Sequence, residues 1–150
     1  MEAEFERIKR LLEEKGIWFK TKRHEAVFTS EQAARVRGVP LKMGVKALVC
    51  KAGEEFIMVL VRADKKADLK VVARLEGVKK LHLASPEQVF ERTDCKVGAV
   101  PPFGFEKPLK TYLDKEVLEE EEVTFNAGLH EVSVVMKGRD LLKVLDPILY

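Results

Sequence analysis

Two β-prone apolar runs, residues 46–51 and 56–62, are separated by a short stretch centred on Gly53. No other feature constrains the fold as much. Four residues cannot carry a crossover, so the two runs have to pair as a hairpin. Around it the sequence alternates further strands with short helices. Residues 2–15 place Phe5, Ile8, Leu11 and Leu12 on one stripe of an amphipathic helix, which Gly16 can end with Ile17 beyond it. Residues 17–19 are expected to form a short strand.

Helix starts are written plainly. Thr29 and Gln32 make a capping box, with Phe28 and Ala33 at the staple positions. That helix is expected to reach Arg37, where Gly38 closes it and Pro40 forbids continuation. Asp68 opens a helix ending at Gly77, with Leu69, Val72, Ala73 and Leu75 facing inward. Ser85, Pro86 and Gln88 supply the cap, the first-turn proline and the reciprocal partner of another. Further strands are expected at 80–83, 109–113, 123–125 and 132–136. Asp140 is expected to cap a last helix, 141–145, stopped by Pro147, and Glu119 to Glu122 to be a solvated turn. The pattern predicts an α/β (α+β) fold with a mixed, largely antiparallel sheet and packed helices.

The 150 residues fit one domain, 1–150, and a chain of this length typically buries roughly 70% of its unfolded surface. Hydrophobic residues at 46% allow a proper core. Charged residues reach 35%, yet the net charge is only +2. Nucleic-acid contact would therefore need a local patch, such as Lys20-Thr21-Lys22-Arg23, Lys65-Lys66 or Lys79-Lys80, each of which reads equally as a solvated face. Cys50 and Cys95 make neither a disulfide framework nor a zinc site, and Cys50 reads as a buried thiol. His24, His82 and His130 lack metal-ligand spacing, with His82 in an expected core strand. No run suits a membrane span and the acidic start lacks a signal core, so a cytoplasmic location is expected.

Three separated pieces could carry chemistry. The first is the capped start Phe28-Thr29-Ser30-Glu31-Gln32-Ala33-Ala34. The second is Lys46, which opens a strand on the face shared with Leu48 and Cys50. It either snorkels to solvent or aims its ammonium into a pocket, holding a phosphate, a carbonyl oxygen or a developing negative charge. The third is the loop Gly98-Ala99-Val100-Pro101-Pro102-Phe103-Gly104, which is either a plain rigid turn or a frame presenting fixed backbone N–H groups. Ser133 lacks a triad pattern, and no phosphate-binding glycine loop appears.

In order and spacing these pieces resemble the YbaK/prolyl-tRNA-editing family of aminoacyl-tRNA deacylases, small domains that hydrolyse wrongly charged tRNA. The resemblance runs from His24 through Leu142. It implies an editing-domain fold, action in trans, and metal-independent hydrolysis assisted by the tRNA's own ribose hydroxyl. Lys46, Gly98 and Pro102 would be the catalytic set. Phe28, Thr29, Pro101, Phe103, Gly104, Gly128, His130 and Glu131 would line the substrate pocket, the last three by resemblance of residues 126–131 to the family's C-terminal glycine turn. Lys20, Lys22 and Arg23 are candidates for the acceptor stem.

The expected partner is the acceptor end of mischarged tRNA, with an aminoacyl-tRNA synthetase as a further candidate. No cofactor or metal is implied, and a monomer or weak homodimer is expected. Ala47 departs from the Asn or Thr familiar after the key lysine, which argues against an alanine- or cysteine-type pocket. Small amino acids (Ala, Ser, Thr or Cys) remain the substrate class. The competing readings are a non-catalytic module docking on tRNA or a synthetase, and a Schiff-base enzyme using Lys46.

Overall fold

A computed structural model describes residues 2–150. Among these residues, five α-helices surround two sheets. The larger sheet has the order β4-β2-β3-β5-β8. It is built on the expected hairpin of β2 (Val45–Ala52) and β3 (Glu55–Arg62), paired antiparallel with Val45 opposite Arg62. β4 (His82–Leu83) joins antiparallel to β2, while β5 (Lys110–Leu113) and β8 (Ile148–Leu149) add in parallel beyond β3. The smaller sheet, β1 (Phe19–Arg23), β7 (Val132–Lys137) and β6 (Glu122–Asn126), is wholly antiparallel. A parallel bridge between Gly44 and Thr124 links the two at the entrance to β2. The sheets are thus mixed and largely antiparallel.

The main core lies between the sheets and under α1 (Glu2–Glu14). Phe5, Ile8 and Leu12 are buried there with Met58, Leu60, Phe103, Phe125, Val134 and Met136. Burying each large apolar side chain is worth about 1.5–3 kcal/mol, so α1 is an integral wall of this fold. A second cluster, including Cys50, Ile57, Val59, Val72 and Tyr112, fills the opposite face of the large sheet under α3 (Leu69–Glu76).

Several local expectations are corrected. The first strand begins only at Phe19. Ile17 instead closes α1, its N–H donating to Leu12 O at 3.0 Å and its side chain buried. β1 itself is the polar Phe-Lys-Thr-Lys-Arg run, an edge strand with an exposed face, which leaves no apolar alternation to read. Phe28 does not staple α2 (Ser30–Arg37), since 65% of it is exposed and its ring turns elsewhere. Leu75 is exposed on α3, and His82 is exposed on β4. Asp140 makes no capping hydrogen bond to α5 (Leu141–Val144), because a 3-10 turn at Gly138–Asp140 already makes it helical. Its carboxylate pairs with Lys143 instead. The acidic run is more than a solvated turn: Glu120 pairs with Arg62, and Glu122 opens β6 opposite Lys137.

Candidate active site

A half-open cleft of about 220 Å³ lies where α2, the start of β2 and the 97–100 loop converge. Its walls have different chemistry. α2 contributes Thr29, Ala33 and Arg37, the sheet contributes residues 44–48, and the loop contributes Val97, Gly98 and Val100.

The sheet wall is an open edge. β4 reaches β2 only at Cys50 and Lys51, and Ala84 N–H donates to Val49 O just before it. In an antiparallel ladder successive residues turn their N–H and C=O to alternate sides. Ala47 therefore turns its N–H and C=O the same way as Val49, away from β3 and into the cleft. Lys46 lies on this edge, half-buried, with its Nζ donating to Lys65 O at 2.5 Å. An ammonium has three N–H donors, so two remain after this anchor.

The loop wall is held by its carbonyls. His130 Nε2 donates to Val97 O (3.0 Å), Asn126 Nδ2 to Gly98 O (2.6 Å) and Gly128 N–H to Ala99 O (2.9 Å). A carbonyl only accepts, so His130 carries its proton on Nε2. Three consecutive carbonyls are thus tied to the 126–130 turn. The N–H groups of Gly98 and Val100 have no protein acceptor among the described residues, and both residues line the cleft. Pro101 and Pro102 carry no N–H, so the loop's donors end at Val100. The path also requires glycine at 98, where φ is +89° and a Cβ would stand 3.3 Å from His130 Nε2.

The rim follows from the chain after β1. His24 N–H donates to Glu131 O and Val27 N–H to His130 O, extending the pairing past the β6–β7 turn. This lays the Phe28 ring against the His130 imidazole, 4.5 Å between centroids. Thr29 then caps α2 by accepting from Gln32 N–H, and Gln32 accepts from Phe28 N–H rather than from Thr29.

Of the sequence-derived candidates, the fold brings Lys46, Phe28, Thr29 and Gly98 together on the cleft wall, with His130 directly behind Phe28 and Gly128 behind Ala99. Pro101, Pro102 and Phe103 are buried outside the wall, and Gly104 packs on Ile8. Glu131 is exposed, with its carbonyl on His24. The basic patch is partly committed. Lys22 Nζ donates to Val36 O, and Arg23 pairs with Glu2 above the Phe5 ring. Lys20 stands over Trp18, which is 42% exposed.

Sequence reasoning missed Arg37 and Asn126. Arg37 Nε donates to Ser133 Oγ (2.8 Å) and Nη2 to Asn126 Oδ1 (2.9 Å), while His24 Nε2 meets the same Ser133 hydroxyl at 2.7 Å. Burial lowers the guanidinium to about 10. The available signal was a basic residue in the last turn of a capped helix, which reads first as a partner for the helix dipole. No group of three or more residues that could hold a metal ion occurs among the described residues, and no helix there is long and apolar enough to cross a membrane.

Comparison with known proteins places residues 24–144 on the aminoacyl-tRNA editing domain. The chain is 38% identical over 147 residues to the multifunctional Ser/Thr-tRNA deacylase ProXp-y of Escherichia coli K12, covering 95% of this chain and 88% of that protein. It is 28% identical to a proline–tRNA ligase of Xanthomonas axonopodis pv. citri, over 75% of this chain but only 20% of the ligase. A crystal structure described as a proposed trans-editing enzyme for prolyl tRNA synthetase superposes with a TM-score of 0.87 at 30% identity, covering 98% of this chain and 94% of that one.

Proposed function

Since the chain belongs to the aminoacyl-tRNA editing domain family, we propose that it hydrolyses the ester joining a small amino acid to the end of mischarged tRNA. It would act in trans, as one domain of residues 1–150. Serine and threonine are the leading substrates, by likeness to the Ser/Thr-tRNA deacylase. A cleft of about 220 Å³ has room for such side chains.

The observation that carries this reading is the division of donors and acceptors along residues 97–100. With three carbonyls tied back, the unpaired N–H groups of Gly98 and Val100 suit the ester oxygen as it becomes an oxyanion. Water adds to the ester carbon, the tetrahedral intermediate collapses, and the ribose oxygen leaves with a proton, giving free amino acid and tRNA. The neighbouring ribose hydroxyl is placed to relay that proton, so the protein supplies position and charge stabilisation. Lys46, anchored on Lys65 O, keeps two N–H donors for the substrate. His130 and Asn126 act as positioning residues for the loop. Pro102 acts from the buried side, by fixing the loop's path.

The test is deacylation of tRNAs charged with Ser, Thr, Ala, Cys and Pro by wild type and Lys46→Ala. Selective hydrolysis of one small amino acid, lost in a folded Lys46→Ala, is the expected result. Undiminished hydrolysis by Lys46→Ala overturns the role of the lysine. No hydrolysis across the panel favours the docking module instead.

A further inference from the structure

We infer that Arg37 is an anion-binding residue that receives the phosphate on the 5′ side of the substrate's terminal nucleoside. This rests on the editing reading of the cleft and adds a second anchor to it.

The hydrolytic scheme above uses Lys46 and the Gly98 loop and leaves Arg37 without a task, although it lines the same cleft. Its two hydrogen-bond partners, Ser133 Oγ and Asn126 Oδ1, are neutral. No carboxylate lies within ion-pair distance of it among the described residues, and no acidic residue lines the cleft. Arg62, by contrast, has Asp64, Glu116 and Glu120 around it.

A brace between Ser133 and Asn126 does not require a charge, since a neutral amide could serve. A cation held by dipoles in a partly desolvated wall gains most from an arriving anion. The helix end does not absorb the charge either. Lys22 Nζ already sits on Val36 O, and Gly38 N–H takes Ala34 O and Arg35 O.

The geometry leaves one side of the guanidinium to that anion. Nε and Nη2 are fixed, so the guanidinium plane is set, and Nη1 has no partner among the described residues. Nη1 points to the Gly44 side of the cleft, where a Cβ on Gly44 would stand 3.8 Å from it. Lys46 follows two residues later on the same wall. Together they form a two-cation subsite, one a fixed planar fork and one an ammonium on a flexible stem, suited to phosphate oxygens. The anion the substrate offers nearest its reactive ester is the phosphate one ribose away. The network Arg37–Asn126–Gly98 O would then couple its binding to the loop that meets the ester.

The probes are adenosine 5′-monophosphate and adenosine, titrated into wild type, Arg37→Gln and Arg37→Lys and followed by amide chemical shifts around Gly98 and Lys46. Wild type should bind the monophosphate about tenfold more tightly than the nucleoside, with the Arg37 Nε–H signal shifting. Arg37→Gln should lose that preference and Arg37→Lys keep part of it. On charged tRNA, Arg37→Gln should raise KM with kcat held within about threefold.

Equal affinity for the two probes in wild type, or a preference unchanged in Arg37→Gln, overturns the proposal. So does an equal loss in kcat with unchanged KM, which marks a brace only. The wild-type probe comparison and the Nε–H signal decide the matter even if Arg37→Gln does not fold. Probe binding as expected without deacylation of any charged tRNA sinks the editing reading and leaves the anion site standing. Deacylation with Arg37-independent probe binding does the reverse.

Discussion

Asn126 holds the Gly98 carbonyl at 2.6 Å while accepting from Arg37 at 2.9 Å, so one amide fixes both a backbone wall and a charged side chain of the cleft. Asn126→Ala removes both bonds. Each such hydrogen bond is worth about 0.5–1.5 kcal/mol, so a loss of about 1–3 kcal/mol in urea denaturation is expected. A fall in kcat of at least about tenfold should accompany it, because the N–H groups of the loop are no longer held.

Gly98→Ala is expected to be worse for activity than for folding. Its φ of +89° disfavours any Cβ by about 1–2 kcal/mol, and that Cβ would press on His130 Nε2. Pairing it with His130→Ala relieves the contact but not the backbone strain. The double variant should therefore regain part of the melting temperature and little of the deacylation rate.

Leu12→Ala tests whether α1 belongs to the core. Leu12 is fully buried in the main cluster, and such truncations cost about 2–5 kcal/mol. A melting temperature unchanged within error would make α1 an appendage after all.

The two thiols should be silent in the native protein. Burial pushes Cys50 and Cys95 up to about 11, so at pH 8 about 0.1% of either is thiolate. A disulfide reagent at that pH is expected to label neither until denaturant is added, and then both.

Glu76 provides an acid-side test. Burial raises its carboxyl, but the hydrogen bonds from Lys110 and Tyr112 outweigh that and hold it below its ordinary value of 4.5. A depressed carboxylate stabilises the fold above its unfolded pKa, and that contribution is lost as pH falls through the folded one. Lys110→Met should therefore be less stable than wild type at pH 7, with the deficit shrinking at pH 3 in parallel urea titrations.

Much of this arrangement could be read from the chain because its signals are local. Asp68 and Ser85 accept from Val71 N–H and Gln88 N–H as their caps require, and the Gly53 hairpin has the register that two apolar strands impose. β1 was hidden because a polar edge strand has no apolar period, and Ile17 served the helix instead. β8 was missed because two residues after a proline carry too little pattern. At the cleft, Lys46 and Gly98 were legible only through the resemblance to the editing family. Arg37, Asn126 and Ser133 stand 89 and 96 residues apart in the pairs they form, so nothing short of the folded chain brings them together.

The open edge of β2 has an evolutionary consequence. Two of the three walls, that edge and the 97–100 loop, work largely through peptide groups, which substitution does not remove. The third, the inner face of α2, works through side chains alone. Mutations at positions 33 and 34 can therefore alter what is admitted while the groups facing the ester persist. A lineage with this scaffold can change its clientele by drift on one helix without first surrendering its chemistry.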